Sequence, residues 1–177
     1  MAAVSNTSPI LNLAIIDRLD LVREQFAEVL IPPAVHTELQ PESDLAGAGA
    51  IRQAIQAGWL RVAQLQDTHL VHALALELDE GEAAAIALAL EFRARPILMD
   101  EHDGRAKAKA LGLEPIGVLG ILLRAKRDGS LDSVKAAMQA LRQKAGFFIA
   151  SDLLETILAE AGEGEPSGVH PTQNARL

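Results

Sequence analysis

Acidic residues are the side chains of this sequence best placed to do chemistry. Two groups of three acids flank one mainly apolar stretch: Asp79, Glu80 and Glu82 precede it, and Asp100, Glu101 and Asp103 follow it. Carboxylates held within a few ångströms repel one another, and one takes up a proton unless a cation lies between them. Oxygen ligands suit Mg²⁺ or Mn²⁺, and such an ion polarises a phosphodiester and activates a bound water. The pattern therefore indicates hydrolysis of a nucleic-acid backbone.

The elements that must position these acids alternate along the chain. Short apolar runs at "AAVSN", "EVLIP", "WLRVAQL", "ILM" and "EPIGV" predict strands. Helical spacing predicts helices over residues 7–26, 34–39, 46–58, 82–94, 102–112, 119–128 and 131–144, and a last helix from about residue 151. Strands separated by helices of this length imply a mainly parallel sheet covered by helices, so the expected fold class is α/β.

The candidate residues fall at the strand ends of this arrangement. In an open α/β sheet the functional crevice lies beyond the carboxyl ends of the strands. Asn6 ends the first predicted strand, Asp100 and Glu101 end the strand "ILM", and Glu82 opens the helix before that strand. Glu38, on the helix after "LIPP", is a fourth position. We expect these side chains to face one crevice.

Composition limits what kind of protein this is. The chain has 177 residues, 49% hydrophobic and 3% aromatic, and no cysteine. We expect one domain over residues 1–162 and a mobile tail over residues 163–177, because the tail has turn formers and no periodicity. Without cysteine, a metal must be held by oxygen or imidazole.

Charge and hydropathy exclude two further classes. The net charge of -8 argues against a general nucleic-acid-coating surface, although a bound cation would reverse the sign locally. The first residues lack the basic region of a signal peptide, and no stretch is long and apolar enough to span a membrane. We therefore expect a soluble, cytoplasmic protein.

Several segments in the same order resemble the PIN domain family, and in particular its VapC-like branch. They are "VSNTSPILNLAIIDRLDLV", "VLIPPAVHTEL", "LDEGEAAAIALALE", "ILMDEHDGRAKAKALGL", "GVLGILLRAKRDGSL" and "GFFIASDLLETILAEAGE". The resemblance implies a three-layer α/β/α fold with a mainly parallel sheet of four to five strands. It also implies a Mg²⁺- or Mn²⁺-dependent ribonuclease acting on RNA, a homodimer, and an antitoxin protein as a possible partner.

The resemblance also implies a set of site residues. The family acids fall on Asn6, Glu38, Glu82, Asp100 and Glu101 as metal ligands, with Glu38, Glu82 and Asp100 as the catalytic set. Supporting or substrate-binding positions are Thr7, Ser8, Asp103 and Arg105. The family pattern has Asp where this chain has Asn6, and an amide oxygen ligates a hard cation without adding negative charge. Activity is therefore expected to be weakened, and a catalytically inactive module that binds nucleic acid or an antitoxin-like partner is the alternative.

Several of these polar residues also have a simpler interpretation. Asp79 and Glu80 complement the dipole of the following helix, and Asp103 is more readily explained as a helix cap. Glu38 fits an exposed helix residue, and Asn6 fits a turn former. Three further features have no decisive role at this point: His69 and His72, which are three apart and would share a face if their segment were helical; His102, close to Asp100; and the basic residues Lys107 and Lys109.

Overall fold

Five short strands form the centre of the structure, a computed structural model that describes residues 2–164. They are β1 (Ala3–Ser5), β2 (Val29–Ile31), β3 (Leu60–Val62), β4 (Ile97–Leu98) and β5 (Pro115–Ile116). Every pairing is parallel, and the strand order is β3-β2-β1-β4-β5. The expected α/β class with a mainly parallel sheet of four to five strands is confirmed, and the sheet has five strands.

Ten helices connect and follow the strands within residues 2–164. They are α1 (Thr7–Ile15), α2 (Asp20–Gln25), α3 (Pro33–Leu39), α4 (Ala48–Gln56), α5 (Thr68–Leu74), α6 (Glu80–Glu91), α7 (His102–Ala110), α8 (Val118–Asp128), α9 (Val134–Lys144) and α10 (Ser151–Glu160). None of them is long and apolar enough to cross a membrane.

Two aliphatic cores cover the two faces of the sheet. Ala3 and Leu98 point into the larger core, which contains residues of α1, α2, α8 and α9, while Val4 and Ile97 point into a smaller core built largely on α6. Because both faces are covered, the inner strands β1, β2 and β4 are fully buried and mainly apolar, as is usual in parallel sheets. The edge strand β3 is more exposed and carries Arg61. In the inner strands, polar groups are confined to the ends.

Two helix predictions differ from the structure. The helix expected over residues 7–26 is two helices, because the chain turns between α1 and α2 with Asp17 in a left-handed conformation (φ 56°). Helix α5 was not predicted; it begins after Asp67, whose carboxylate accepts hydrogen bonds from the backbone N–H groups of His69 and Leu70. Helical spacing alone reveals neither a turn between two helices nor a short helix with a weak apolar stripe.

The last described residues extend past the predicted domain boundary. The predicted tail, residues 163–177, lies outside the described residues except for Glu163 and Gly164. Glu163 accepts hydrogen bonds from the backbone N–H groups of Val134 and Lys135 at the start of α9.

Candidate active site

The candidate site lies where the strand order of the sheet reverses. From β1 the chain adds β2 and β3 on one side, and it then places β4 and β5 on the other. Asn6 directly follows β1, its backbone N–H donates to the Leu98 carbonyl oxygen (2.9 Å), and Asp100 and Glu101 follow β4. Crevices beyond the carboxyl ends of strands at such a switch point are the usual ligand sites of open α/β sheets.

Asn6 and Glu101 are hydrogen-bonded across this switch point. Asn6 is 3% exposed, and its Nδ2 donates to Glu101 Oε2 at 3.2 Å. The donor of this bond is the amide NH₂ group, so the NH₂ group faces Glu101 and the amide oxygen points elsewhere. The amide oxygen, Asn6 Oδ1, is buried and has no hydrogen-bond partner among residues 2–164. It is therefore available to a cation.

Asp100 is held by one oxygen and leaves the other without a partner. Its Oδ1 accepts a hydrogen bond from the backbone N–H of Val118 at the start of α8 (2.7 Å), whereas Oδ2 is buried and unpartnered in the described part of the chain. Burial raises the pKa of Asp100 to about 6; the Val118 N–H opposes the rise, Glu101 adds to it, and Arg105 opposes it. A second electron-rich oxygen thus lies at the same sheet edge as Asn6.

Glu82 combines a structural role with an unusual environment. It forms a capping box with Asp79 at the start of α6: Asp79 Oδ1 accepts from the Glu82 N–H (2.7 Å), and Glu82 Oε2 accepts from the Asp79 N–H (3.2 Å). Glu82 is nonetheless only 6% exposed. Burial raises its pKa; the Asp79 N–H opposes this, and repulsion from Asp79, Glu101 and Asp103 adds to it. Capping and proximity to Glu101 therefore coexist.

Glu38 lies at a separate part of the site. Its Oε2 accepts a hydrogen bond from Thr7 Oγ1, which links α3 to the first turn of α1. The side chain is exposed, and its carboxylate lies against Gly81 at the start of α6. Thr7, which is predicted as a supporting or substrate-binding position, donates its hydroxyl hydrogen bond to Glu38.

The three acids of the predicted catalytic set each lie against a glycine. The sequence patterns do not predict a role for these glycines. A Cβ atom added to Gly81 would lie 2.7 Å from Glu38 Oε1, one added to Gly104 would lie 2.8 Å from Glu82 Oε1, and one added to Gly117 would lie 2.8 Å from Asp100 Oδ1. Each glycine lies in the first turn or at the N-cap of a helix. Glycine at a helix start, where no turn demands it, was the available sequence signal.

The hydrogen-bonding contacts of Asp103 and Ser8 are with residues other than Glu38, Glu82, Asp100 and Glu101. Asp103 is exposed within the first turn of α7, and its Oδ1 lies 3.0 Å from Nδ1 of the exposed His102. The helix-cap role predicted for it is wrong, because Glu101 occupies the N-cap position. Ser8 Oγ accepts a long hydrogen bond (3.4 Å) from Asn12 Nδ2.

Arg105 lies beside Asp100. Its Nη1 donates to the Met99 carbonyl oxygen (2.9 Å), and its charge lowers the pKa of Asp100 against the effect of burial. The guanidinium is thus anchored beside the Asp100 carboxylate.

The donor set is suited in part to a hard divalent cation. Asn6 Oδ1 and Asp100 Oδ2 are buried oxygens without partners within residues 2–164, and the adjacent Glu101 supplies a carboxylate. Mg²⁺ and Mn²⁺ prefer such oxygen ligands. However, no three His, Asp or Glu side chains of residues 2–164 are arranged to hold a metal ion. The five-residue ligand set therefore remains a prediction.

Comparison with known families is consistent with this geometry. A family model described as a PIN domain matches residues 2–163. No curated protein is similar enough to count as a match. A PIN domain indicates nuclease-type function and nucleic-acid binding in general. Since the match extends over almost the whole chain, the protein belongs to the PIN domain family.

Proposed function

We propose that the protein is a Mg²⁺- or Mn²⁺-dependent endoribonuclease of the VapC toxin type, with activity weakened by Asn6. One observation carries the proposal: Asn6 Oδ1 and Asp100 Oδ2 are buried without partners in the described chain, at the ends of the adjacent strands β1 and β4. An unpartnered buried oxygen costs free energy, and a bound cation would remove that cost.

Asn6, Asp100 and Glu101 would hold the ion, with Glu82 and Glu38 completing the predicted set. When bound, the ion would polarise the phosphodiester and lower the pKa of a water molecule. Glu101 is oriented by the Asn6 amide, and Asp100 by the Val118 N–H. Burial raises the pKa of Glu82, so its carboxylate would be stabilised by a cation bound nearby.

Recognition of the substrate at the candidate site would depend on the phosphate backbone of the nucleic acid. Arg105 is fixed next to Asp100 and carries a planar guanidinium that suits a phosphate. A protein of net charge -8 gains little from general attraction to RNA, so the cation and Arg105 would provide most of the local positive charge. We further propose a cytoplasmic homodimer whose acidic site is the target of an antitoxin protein.

A second candidate function is an inactive PIN-like module that binds nucleic acid or an antitoxin-like partner. It is favoured by Asn6 itself, because an amide brings no charge to the ion and cannot act as a general base. The Asn6 amide is already hydrogen-bonded to Glu101, which lowers repulsion in the site without any cation.

Cleavage of a mixed RNA pool in Mn²⁺ separates these two functions. We expect weak cleavage by the unmodified protein, faster cleavage by Asn6→Asp, and none by Asp100→Asn. Asp128→Asn, the same chemical change at the opposite end of α8, is the matched control and should cleave like the unmodified protein. If neither the unmodified protein nor Asn6→Asp cleaves, the inactive module is the better description. Undiminished cleavage by Asp100→Asn would contradict the proposed site.

A further inference from the structure

An apolar cleft continues from the candidate site along the first turn of α8. Its lining includes Asp100 and Arg105 of the candidate site, Gly117 at the start of α8, and Phe148 in the segment that joins α9 to α10. Its volume is about 490 Å³, within the range of roughly 300 to 1,000 Å³ usual for small-ligand sites. Apart from Asp100 and Arg105, the lining is apolar or glycine.

The most exposed aromatic ring of residues 2–164 lies on the wall of this cleft. Phe148 is 85% exposed, while its neighbours anchor the segment: Phe147 packs against the larger core and Ile149 is 6% exposed. The backbone N–H of Phe147 also donates to the Leu141 carbonyl oxygen (3.0 Å). The backbone around Phe148 is therefore fixed, and its ring stays in solvent beside the cleft.

We propose that this cleft is a nucleobase subsite, in which a base next to the bound phosphodiester stacks on the Phe148 ring. The proposal rests on the proposed function for its substrate class, a single-stranded nucleic acid. A nucleotide carries an anionic phosphate joined to a flat, largely apolar base, and this cleft joins the Arg105 guanidinium to an apolar slot with one aromatic wall.

The chemistry of the lining limits what kind of base recognition is possible. Among the residues that line the cleft, only Asp100 and Arg105 have polar side chains, and both belong to the candidate site. Few groups are therefore available to read the edge of a base, whereas stacking accepts every base. The subsite should raise affinity for unpaired strands without selecting a sequence.

The role of the Phe148 ring can be tested by measuring the binding of short single-stranded RNA. Fluorescence anisotropy in Ca²⁺ gives the affinity, and the recovered RNA is checked for cleavage. Phe148→Ala should weaken binding about 5- to 150-fold, since that is the effect of losing one stacked base. Phe148→Trp should restore binding. Phe92→Ala is the matched control, because Phe92 is also exposed (48%) but lines a different pocket, with Arg93 and Arg95, and it should leave affinity unchanged.

A strand with an abasic nucleotide distinguishes stacking from other effects of the substitution. When the abasic nucleotide is moved along the RNA, one position should reduce the affinity of the unmodified protein by the same factor as Phe148→Ala reduces it for intact RNA. With the abasic nucleotide at that position, Phe148→Ala should cause no further loss of affinity. The subsite is refuted if no abasic position reproduces the loss, if Phe148→Ala binds RNA normally, or if no RNA binds.

Oligomeric state supplies the remaining discriminating measurement. If sedimentation shows that Phe148→Ala separates a dimer into monomers, and RNA binding falls only in step with dissociation, the cleft is an interface between two copies and the subsite is refuted. If the unmodified protein cleaves RNA while the abasic series shows no effect, the proposed function stands and the subsite fails. If the abasic series behaves as expected but no cleavage occurs, the subsite stands and the nuclease function fails.

Discussion

At the scale of single residues, the site is defined by carboxylates held against helix starts. Glu38, Glu82 and Asp100 each lie against a glycine in the first turn or at the N-cap of a helix. A helix N-terminus favours negative charge through its free N–H groups and its dipole. These acids are therefore positioned by backbone as much as by side chains, and the absence of a Cβ makes the close approach possible.

Asp100 should give the metal-free protein a measurable pH dependence. Its pKa rises from 3.8 to about 6 because it is buried, so the folded chain binds the proton more tightly than the unfolded chain does. The contribution of this carboxyl to stability is therefore lost as pH rises from about 4 to about 6 and stays lost above that range. The free energy of unfolding of Asp100→Asn minus that of the unmodified protein should grow over this range by up to about 3 kcal/mol. Denaturant titrations at several pH values, in the presence of a chelator, measure this difference; a constant difference would contradict the burial of Asp100.

Gly104 provides a second test at the residue scale. A Cβ at this position would lie 2.6 Å from Met99 Sδ and 2.8 Å from Glu82 Oε1, and both side chains are buried. Gly104→Ala should therefore destabilise the protein by about 1 to 3 kcal/mol through overpacking. Gly49→Ala in α4 is the control: nothing lies within 4 Å of an added Cβ, so helix propensity should make it about 0.5 to 1 kcal/mol more stable. Chemical denaturation gives the free energy of unfolding of both variants. Equal gains in stability would mean that Gly104 is not crowded.

At the scale of elements, Glu163 joins the end of α10 to the start of α9. Its carboxylate accepts hydrogen bonds from the N–H groups of Val134 and Lys135 and from Ser133 Oγ, and it lies 3.1 Å from Lys126 Nζ. Burial acts to raise its pKa, but these partners outweigh burial and lower the pKa to about 2. Phe148 lies in the segment that joins α9 to α10. The Glu163 contact holds the ends of these two helices that lie away from this segment.

Removing this carboxylate should cost stability in a pH-dependent way. The pKa of Glu163 is depressed in the folded chain, so its contribution is complete above about pH 4.5 and is lost as pH falls through about 2. Glu163→Gln should lower the free energy of unfolding by about 1 to 3 kcal/mol at neutral pH, and by less in acid. Glu160→Gln is the control and should have little effect, because the ion pair between Glu160 and Arg127 is long (3.7 Å) and exposed. A deficit in Glu163→Gln that is as large at pH 2 as at pH 7 would contradict this assignment.

Sequence patterns predict elements that are covered on both sides better than elements at the surface. The strands predicted at "AAVSN" and "ILM" are found as β1 and β4. In a parallel sheet the apolar run is buried on both faces, and the polar residues that follow it lie at the end of the strand. The break before α2 depends on Asp17 adopting a left-handed conformation, and α5 depends on a cap from Asp67. Both are local backbone features that hydrophobic spacing does not reveal.

At the scale of the whole molecule, the sheet topology brings distant residues to one edge. Sequence reasoning placed Asn6, Asp100 and Glu101 at strand ends, and the strand order makes those ends neighbours. It did not predict that Thr7 binds Glu38, that Glu82 lies against Gly104, or that Phe148 lines a cleft, because these contacts depend on how the connecting helices cross the sheet. Strand ends are thus readable from the sequence, and side-chain partners are not.

Calorimetric titration of Mn²⁺ tests the central claim most directly, namely that oxygens from separate segments share one cation. The unmodified protein should bind one ion per chain, and Asp128→Asn should do the same. Asn6→Asp should bind at least about tenfold more tightly, because it adds a negative charge next to the ion. Asp100→Asn should bind none at comparable concentrations. Equal binding by Asp100→Asn and the unmodified protein, or no binding by any of the four proteins, would contradict the account.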